Sequence, residues 1–195
     1  RRETGPLVIA DTQDNAGAGG NSDTVGMLRA LIAHDVADAV FGLVYDPETA
    51  KQAHAAGVGA AIDVRLGAGS AWQGEAPFEG RFTVQALGDG KFTATGPMFG
   101  GARMNLGPMA VLKIGGIEVV VSSRKMQCAD QAILRHVGIE PAERSVLVLK
   151  SSVHFRADFA PIAAEIIECA SPGPVLADPA ALPWKHLRGG LRTRP

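Results

Sequence analysis

The chain has 195 residues, of which 46% are hydrophobic and 20% charged, and its formal net charge is −1. This length and composition fit one globular domain with a substantial core. The near-neutral charge gives no electrostatic reason to expect nucleic acid or an anionic membrane as a partner. No apolar run is long enough to span a bilayer, so we expect no membrane contact. The two cysteines, Cys128 and Cys169, lack metal-type spacing and indicate reduced thiols, so we expect a cytoplasmic protein.

The first third of the sequence alternates short apolar runs with helical patterns. The apolar runs predict buried strands at 7–10, 39–45 and 60–66. A helix follows the first strand, with Ser22 or Asp23 as its N-cap. A second helix begins after the cap Asp46, with Pro47 at its first position, and ends at Gly57. This β-α-β-α-β order predicts a parallel sheet with right-handed crossovers.

The middle of the chain predicts two β-hairpins separated by a glycine-rich loop. One hairpin joins 82–87 to 91–95 through Gly-Asp-Gly. The other joins 110–114 to 117–122 through Gly115-Gly116, which is the strongest hairpin signal in the sequence.

The last third returns to alternation. Helices are predicted at 128–136 and 160–169, so that each contains one cysteine, and a buried strand is predicted at 145–150. A proline-rich tail follows and is expected to be extended. The whole pattern predicts a single α/β domain over residues 1–195, with a mixed, largely parallel sheet flanked by helices and carrying inserted β-hairpins.

The most informative segment is D-T-Q-D-N-A-G-A-G-G-N-S-D-T, from Asp11 to Thr24. It lies between a strand and a helix, where glycine lets the backbone approach a ligand and the first helical N–H groups lack partners. Such a corner can accept an anion, and the alternative is a polar connection that only caps its helix. The segment lacks the G-K-[ST] of a phosphate-binding loop and the G-x-G-x-x-G spacing of dinucleotide-binding folds, so neither kind of nucleotide site is favoured.

Polar residues follow several of the predicted strands. Since ligands of open α/β sheets bind beyond the carboxyl ends of the strands, we expect a polar cleft at one edge of the sheet. In S-S-V-H-F-R-A-D, an extended chain would place Ser152, His154, Arg156 and Asp158 on one face. That face suits an oxygen-rich ligand or, equally, a buried structural network. Of the five histidines only His154 is a functional candidate, and no metal-ligand motif is present.

Four motifs together resemble one known family. They are the loop L-V-I-A-D-T-Q-D-N-A-G-A-G-G-N-S-D-T, A-H-A-A-G-V-G, V-L-K-S-S-V-H-F-R-A-D-F and L-P-W-K-H-L-R. From about Pro6 to Arg188 the chain resembles the C-terminal domain of the microcystinase C (MlrC) family. The Asp-Asn-x-Gly loop and K-S-S-x-H-F-R are the most specific parts. Members usually carry proline after the asparagine and an unbroken glycine run, whereas Ala16 and Ala18 stand here.

The resemblance implies a two-domain, zinc-dependent peptidase or amidohydrolase that opens linear microcystin and similar small peptides. Its zinc ligands, Asp and His residues, belong to a preceding N-terminal domain that we expect to be absent from this chain. Zinc is therefore expected in the full-length enzyme and no metal ligand in this chain, which alone would be inactive. The implied partners are that N-terminal domain and a small peptide, and a homo-oligomer is left open.

The resemblance also implies that two segments face the interdomain cleft and bind the substrate. Arg156 would pair with a carboxylate, Asn15 and the loop amides would hold carbonyl oxygens, and His154, the only catalytic candidate, could stabilise an oxyanion. The substrate-binding candidates are Asp11, Asp14, Asn15, Gly17, Gly19, Ser22, Asp23, Ser151, Ser152, His154 and Arg156.

Two other functions are consistent with the residues. The first is a non-catalytic domain that binds a small anion or metabolite through the glycine loop. The second is a purely structural domain whose polar edge packs against a partner.

Overall fold

The computed structural model describes residues 5–67, 69 and 75–193. The strands are β1 (Leu7–Asp11), β2 (Ala39–Tyr45), β3 (Ala61–Leu66), β4 (Phe78–Gly88), β5 (Lys91–Thr93), β6 (Arg103–Asn105), β7 (Met109–Ile114), β8 (Ile117–Ser122), β9 (Val146–Leu149) and β10 (Glu165–Cys169). The helices are α1 (Gly26–Ala33), α2 (Pro47–Ala56), α3 (Ala132–Arg135) and α4 (Arg156–Phe159). Short 3₁₀ turns lie at Ala16–Ala18, Pro141–Glu143 and Pro179–Ala181.

Eight strands form one mixed sheet in the order β10-β1-β9-β2-β8-β7-β4-β3. The first five are parallel, and the last three continue the sheet in antiparallel fashion. The predicted α/β class with a largely parallel sheet is confirmed. Because β1, β9, β2 and β8 run in the same direction side by side, the residues that follow them meet at one edge of the sheet.

The core fills both faces of this sheet. Leu28, Phe41 and Leu112 belong to one buried cluster, and Val40 and Leu134 belong to the other. Adjacent residues of β2 therefore pack into opposite layers, which is why its run of seven residues is almost entirely buried. The central strands are thus fixed on both sides, and the loops that follow them start from a rigid base.

The third predicted strand forms, but its predicted parallel pairing is wrong. β3 lies at the far edge of the sheet and pairs antiparallel with β4. Its side chains alternate between buried and exposed, which suits an edge strand with only one covered face. The exposed Asp63 and Arg65 form ion pairs with Arg81 and Glu79 of β4.

One of the two predicted hairpins is confirmed. β7 and β8 pair antiparallel around Gly115, whose φ of +56° is the left-handed conformation that glycine favours. The hairpin through Gly-Asp-Gly is wrong, because both sides of β4 are occupied by β3 and β7. β5 instead pairs with β6 in a separate two-stranded sheet.

The predicted helix at 160–169 is wrong, and Cys169 ends a strand. Residues Glu165–Cys169 form β10, which pairs with the otherwise open side of β1. The β-branched pair Ile166-Ile167 favours this extended state. The helix predicted at 128–136 shortens to α3, because the Asp130 carboxylate accepts the N–H of Ala132 at 2.9 Å.

The starts of the first two helices contrast. Asp46 caps α2 as predicted, accepting the N–H of Thr49 at 2.9 Å, and α2 ends before Gly57. The predicted cap of α1 by Ser22 or Asp23 is wrong. α1 begins at Gly26, after Val25, which makes no side-chain cap bond.

The tail after β10, predicted to be extended, contains bends, a 3₁₀ turn and a further turn at Gly189-Gly190, and it is anchored at Gln13. The Gln13 carbonyl accepts the N–H of Val175, and its side-chain oxygen accepts the N–H of Ala177, both at 2.9 Å. Farther along, Trp184 is about half exposed. Within the described ranges, no helix is both long and apolar enough to cross a bilayer.

The buried ring of Phe82 tests whether the antiparallel strands unfold together with the parallel ones. Its side chain is fully buried in the same cluster as Phe41. We expect Phe82→Ala to lower the free energy of unfolding by about 3–5 kcal/mol, in a single transition measured by urea denaturation. Val58→Ala, at a position that is 65% exposed, should change it by less than about 0.5 kcal/mol. Two separate transitions in the parent would contradict a shared core.

Candidate functional site at the carboxyl edge of the parallel strands

A buried ion cluster lies where β1 and β9 end. The Lys150 side chain is completely buried, and its Nζ donates to Asp11 Oδ2 and Asp14 Oδ2, each at 2.9 Å. Its third hydrogen bond goes to Thr24 Oγ1 at 3.0 Å. The ammonium also lies 5.3 Å from the centre of the Phe41 ring. All three ammonium donors are thus used inside the protein.

Asp14 organises the glycine loop from within. Its carboxylate accepts the backbone N–H groups of Asn21, Ser22 and Thr24 at 3.0, 2.8 and 2.7 Å. Burial alone would raise the pKa of Asp14. The Lys150 ammonium and the hydrogen bonds outweigh burial, and the pKa lies below its ordinary value. The loop N–H groups that could have donated hydrogen bonds to a free anion therefore donate them to the loop's own carboxylate.

Asp11 is also engaged, because its second oxygen accepts the hydroxyl of Ser171 at 2.7 Å. Both Asp11 and Asp14 are buried, so their oxygens meet Lys150 and the loop rather than solvent. Two buried carboxylates and one buried ammonium leave a net charge of −1 beneath the edge. Several hydrogen bonds compensate for its removal from water.

Above this cluster, five residues form what we call the rim: Asn15, Gly17, Gln127, Ser152 and His154. Asn15 Nδ2 donates to Ser152 Oγ at 2.8 Å, and its Oδ1 accepts the Gly17 N–H at 2.8 Å. Gln127 Oε1 lies 3.3 Å from Nδ1 of the exposed His154. A Cβ on Gly17 would lie 2.7 Å from Gln127 Cδ, so any larger residue at position 17 would require the Gln127 side chain to move. The two predicted segments meet here.

The predicted alternation over Ser152, His154, Arg156 and Asp158 is wrong. Residues Arg156–Phe159 form α4, because Phe155 and Phe159 are both fully buried and a helical turn brings them to the same side.

As a result, the four polar side chains point to different partners. Arg156 Nη2 pairs with Glu168 at 2.6 Å, and the Asp158 carboxylate accepts the N–H of Gln131 at 2.6 Å. Only Ser152 and His154 belong to the rim. Ser151 is buried beneath it, with its hydroxyl 3.4 Å from Gln127 Oε1.

The remaining loop candidates lie in three places. Gly19 provides a left-handed turn with φ of +98°, and the Ser22 hydroxyl donates to the Asp14 carbonyl at 3.2 Å inside the loop. Asp23 lines an open cavity of about 520 Å³ on the other side of the loop, together with Tyr45 and Lys125.

Sequence reasoning missed two residues of this site. Lys150 directly follows the apolar strand β9, and β1 ends in Asp11. A lysine and an aspartate at the ends of two buried strands were an available signal for an ion pair. Gln127 sits in a loop before α3, and nothing in the local sequence marks it.

The two cysteines are not activated nucleophiles. Burial, together with the nearby Asp130 charge, raises the pKa of Cys128 to about 12. Burial and the charge of Asp11 also raise the pKa of Cys169. Because the thiolate is the reactive form, both side chains are structural at neutral pH.

The described residues contain no group of three or more His, Cys, Asp or Glu side chains that could hold a metal ion. This part of the chain therefore does not itself fit a zinc site, since zinc in proteins takes three or four such ligands.

Comparisons with known proteins agree on one family. The family model described as MlrC C-terminus matches residues 9–186. Microcystinase C from a Sphingomonas species is 26% identical over 166 residues, which are 85% of this chain and 32% of that protein. The crystal structure of a predicted metallopeptidase from Mesorhizobium sp. BNC1 superposes with a TM-score of 0.84 at 28% identity, over 94% of this chain and 37% of that one. The chain thus spans about a third of the length of these relatives.

Removal of the Lys150 ammonium should destabilise the fold strongly. We expect Lys150→Met to lower the free energy of unfolding by about 3–5 kcal/mol, because it leaves two buried carboxylates without their counter-charge. Lys125→Met, at an exposed lysine of the same edge, is the matched control and should cost less than about 1 kcal/mol. Urea denaturation of both variants measures the difference, and equal losses would contradict a stabilising role for the buried cluster.

Acid should reveal the contribution of Asp14. Because folding lowers the pKa of Asp14, its stabilisation is complete above the ordinary value of 3.8 and is lost as the pH falls through the lower folded value. Asp14→Asn should therefore lose less stability than the parent between about pH 6 and pH 3, measured by urea denaturation. Asp35→Asn, at an exposed site, should retain the parent's pH dependence. An unchanged slope in Asp14→Asn would contradict the assignment.

Proposed function

Because the chain belongs to the MlrC C-terminal domain family, we propose that it is the substrate-cleft half of a larger zinc-dependent peptidase or amidohydrolase acting on small linear peptides. The chain spans about a third of its microcystinase C relative, so the remaining part of the polypeptide is available to hold the catalytic metal. In this proposal, zinc and its ligands belong to a preceding N-terminal domain, which is the partner of the edge described above.

The observation that carries the proposal is the rim itself. It presents the Ser152 hydroxyl and the His154 ring at the carboxyl edge, where open α/β sheets bind ligands. The half-buried Ser152 hydroxyl can hold a peptide carbonyl or N–H, since it has hydrogen-bonding capacity beyond the 2.8 Å bond that it accepts from Asn15. The buried Asn15 side chain fixes the position of this hydroxyl, so little ordering is needed when a peptide binds.

His154 is the rim side chain that can stabilise a negative charge developing on the substrate. Gln127 Oε1 faces its Nδ1, so Nδ1 donates this hydrogen bond and Nε2 stays available at the exposed side of the ring. In the protonated ring, Nε2–H can donate to a carbonyl oxygen that gains negative charge during attack by water. Such donors contribute more in the transition state than in the ground state.

The alternative of a non-catalytic small-anion site is less well supported. The main argument for it was the set of backbone N–H groups in the glycine loop, and three of these already donate to the Asp14 carboxylate. A free phosphate or carboxylate would have to displace a buried side chain that is also paired with Lys150. The loop is therefore better suited to shaping the rim than to capturing an anion.

The proposal predicts a specific kinetic defect. In the full-length protein that contains this chain, His154→Ala should lower kcat for hydrolysis of a linear peptide by about 100-fold, with little change in KM. His34→Ala, at the end of α1 and also exposed, is the matched control. Thermal unfolding should show both variants to be as stable as the parent. If His154→Ala retained the kcat of the control, the assigned role would be wrong.

A further inference from the structure

The cavity of about 520 Å³ on the far side of the glycine loop contains polar groups that the proposed function does not use. We call it the loop-side cavity. It lies between the glycine loop, the start of α2 and the segment after β8. The residues that line it are Asn21, Asp23, Tyr45, Asp46, Pro47, Glu48, Arg65, Gly67, Gly69 and Lys125. Its size falls within the range of small-molecule sites in proteins.

Three of its charged side chains, Asp23, Asp46 and Arg65, are already engaged. Asp46 accepts the N–H of Thr49 at 2.9 Å, the Thr49 hydroxyl at 2.8 Å and the N–H of Gly67 at 2.9 Å. Arg65 pairs with Glu79 of the neighbouring strand at 3.0 Å. Asp46 therefore joins α2 to the residue that follows β3, and Arg65 is held at the sheet edge by its ion pair with Glu79.

Three groups in the cavity retain free capacity. The Lys125 ammonium donates to Asn21 Oδ1 and lies 5.3 Å above the Tyr45 ring, and it has no carboxylate partner within the described part of the chain. Over the same residues, neither the Glu48 carboxylate nor the Tyr45 hydroxyl has a hydrogen-bond partner. The groups that retain capacity are thus one cation, one anion and one hydroxyl, and they line the same cavity as the engaged Asp23, Asp46 and Arg65.

The other basic groups that the proposed function could use for a carboxylate are occupied. Lys150 is buried between two aspartates, and Arg156 pairs with Glu168 at 2.6 Å. A carboxylate at Arg156 would compete with this pair, whereas Lys125 still has donors to offer. The cavity is therefore the better place at this edge for a ligand that carries a carboxylate.

We propose that the loop-side cavity binds a zwitterionic amino acid or short peptide with both termini free. Its carboxylate would lie at Lys125 and the Tyr45 hydroxyl, and its ammonium at Glu48. The opposite charges on the ligand match the opposite uncommitted charges of the cavity, which a simple anion would not. This inference rests on the proposed function for the role of the ligand as substrate or product, but not for its binding.

Ligand-observed NMR on the full-length protein tests the site directly, with glycylglycine as the probe. N-acetylglycylglycine lacks the ammonium, and glycylglycinamide lacks the carboxylate. We expect glycylglycine to bind and each blocked peptide to bind at least about fivefold more weakly, as expected for the loss of one charged hydrogen bond. Lys125→Gln and Glu48→Gln should each weaken glycylglycine to a similar degree, and Tyr45→Phe should weaken it less.

Lys113→Gln, at an exposed lysine of β7, is the matched control and should leave binding unchanged. Absence of glycylglycine binding, equal binding of the three peptides, or binding that survives both Lys125→Gln and Glu48→Gln would overturn the proposal. The His154→Ala measurement is independent of this test. A protein that bound glycylglycine as expected but hydrolysed no peptide would contradict the proposed function and support the cavity assignment.

Discussion

The buried ammonium of Lys150 is the interaction on which the carboxyl edge depends. It joins the end of β9 to the end of β1 through Asp11 and to the glycine loop through Asp14. Removing three charges from water is costly, and the arrangement is stable only because each of them has further hydrogen bonds. The loop from Thr12 to Val25 has little apolar surface of its own, so this cluster takes the place that a hydrophobic core holds elsewhere in the domain.

Residues that the sequence groups together as substrate-binding candidates have two different roles in the structure. Asp11 and Asp14 shape the edge from below, together with the buried Asn15. Ser152 and His154 present hydrogen-bonding groups above it. The exposed groups are mostly neutral, which suits recognition of peptide bonds, whose donors and acceptors are also uncharged. A charged rim would instead favour ions and would have to be desolvated before a peptide could bind.

Local signals predicted those parts of the fold that are decided locally. Apolar runs gave the buried strands, Asp46-Pro47 and Gly57 bounded α2, and Gly115-Gly116 set the β7–β8 hairpin. The errors arose where distant segments compete for the same partner. The segment at 165–169 could have continued a helix, but it pairs with β1, and no periodicity in its own sequence contains that information.

The same limit applied to the candidate site. The resemblance to the MlrC family is confirmed by the match over residues 9–186, and both segments chosen from its motifs meet at the rim. The sequence did not distinguish buried from exposed members of those segments, since Ser151 is buried and His154, three residues later, is exposed. Gln127 was missed because its importance comes only from three-dimensional contact with Gly17 and His154.

The two outer strands of the sheet are protected to different degrees. β3 presents Asp63 and Arg65, each paired across to β4, and such alternating charges oppose the addition of another strand. β10 also carries a paired charge, Glu168 with Arg156, but its Ile167 is 41% exposed and its outer side has no strand partner among the described residues. Of the two edges β10 is thus the more open to a further strand, and a lysine in place of Ile167 would oppose such an addition.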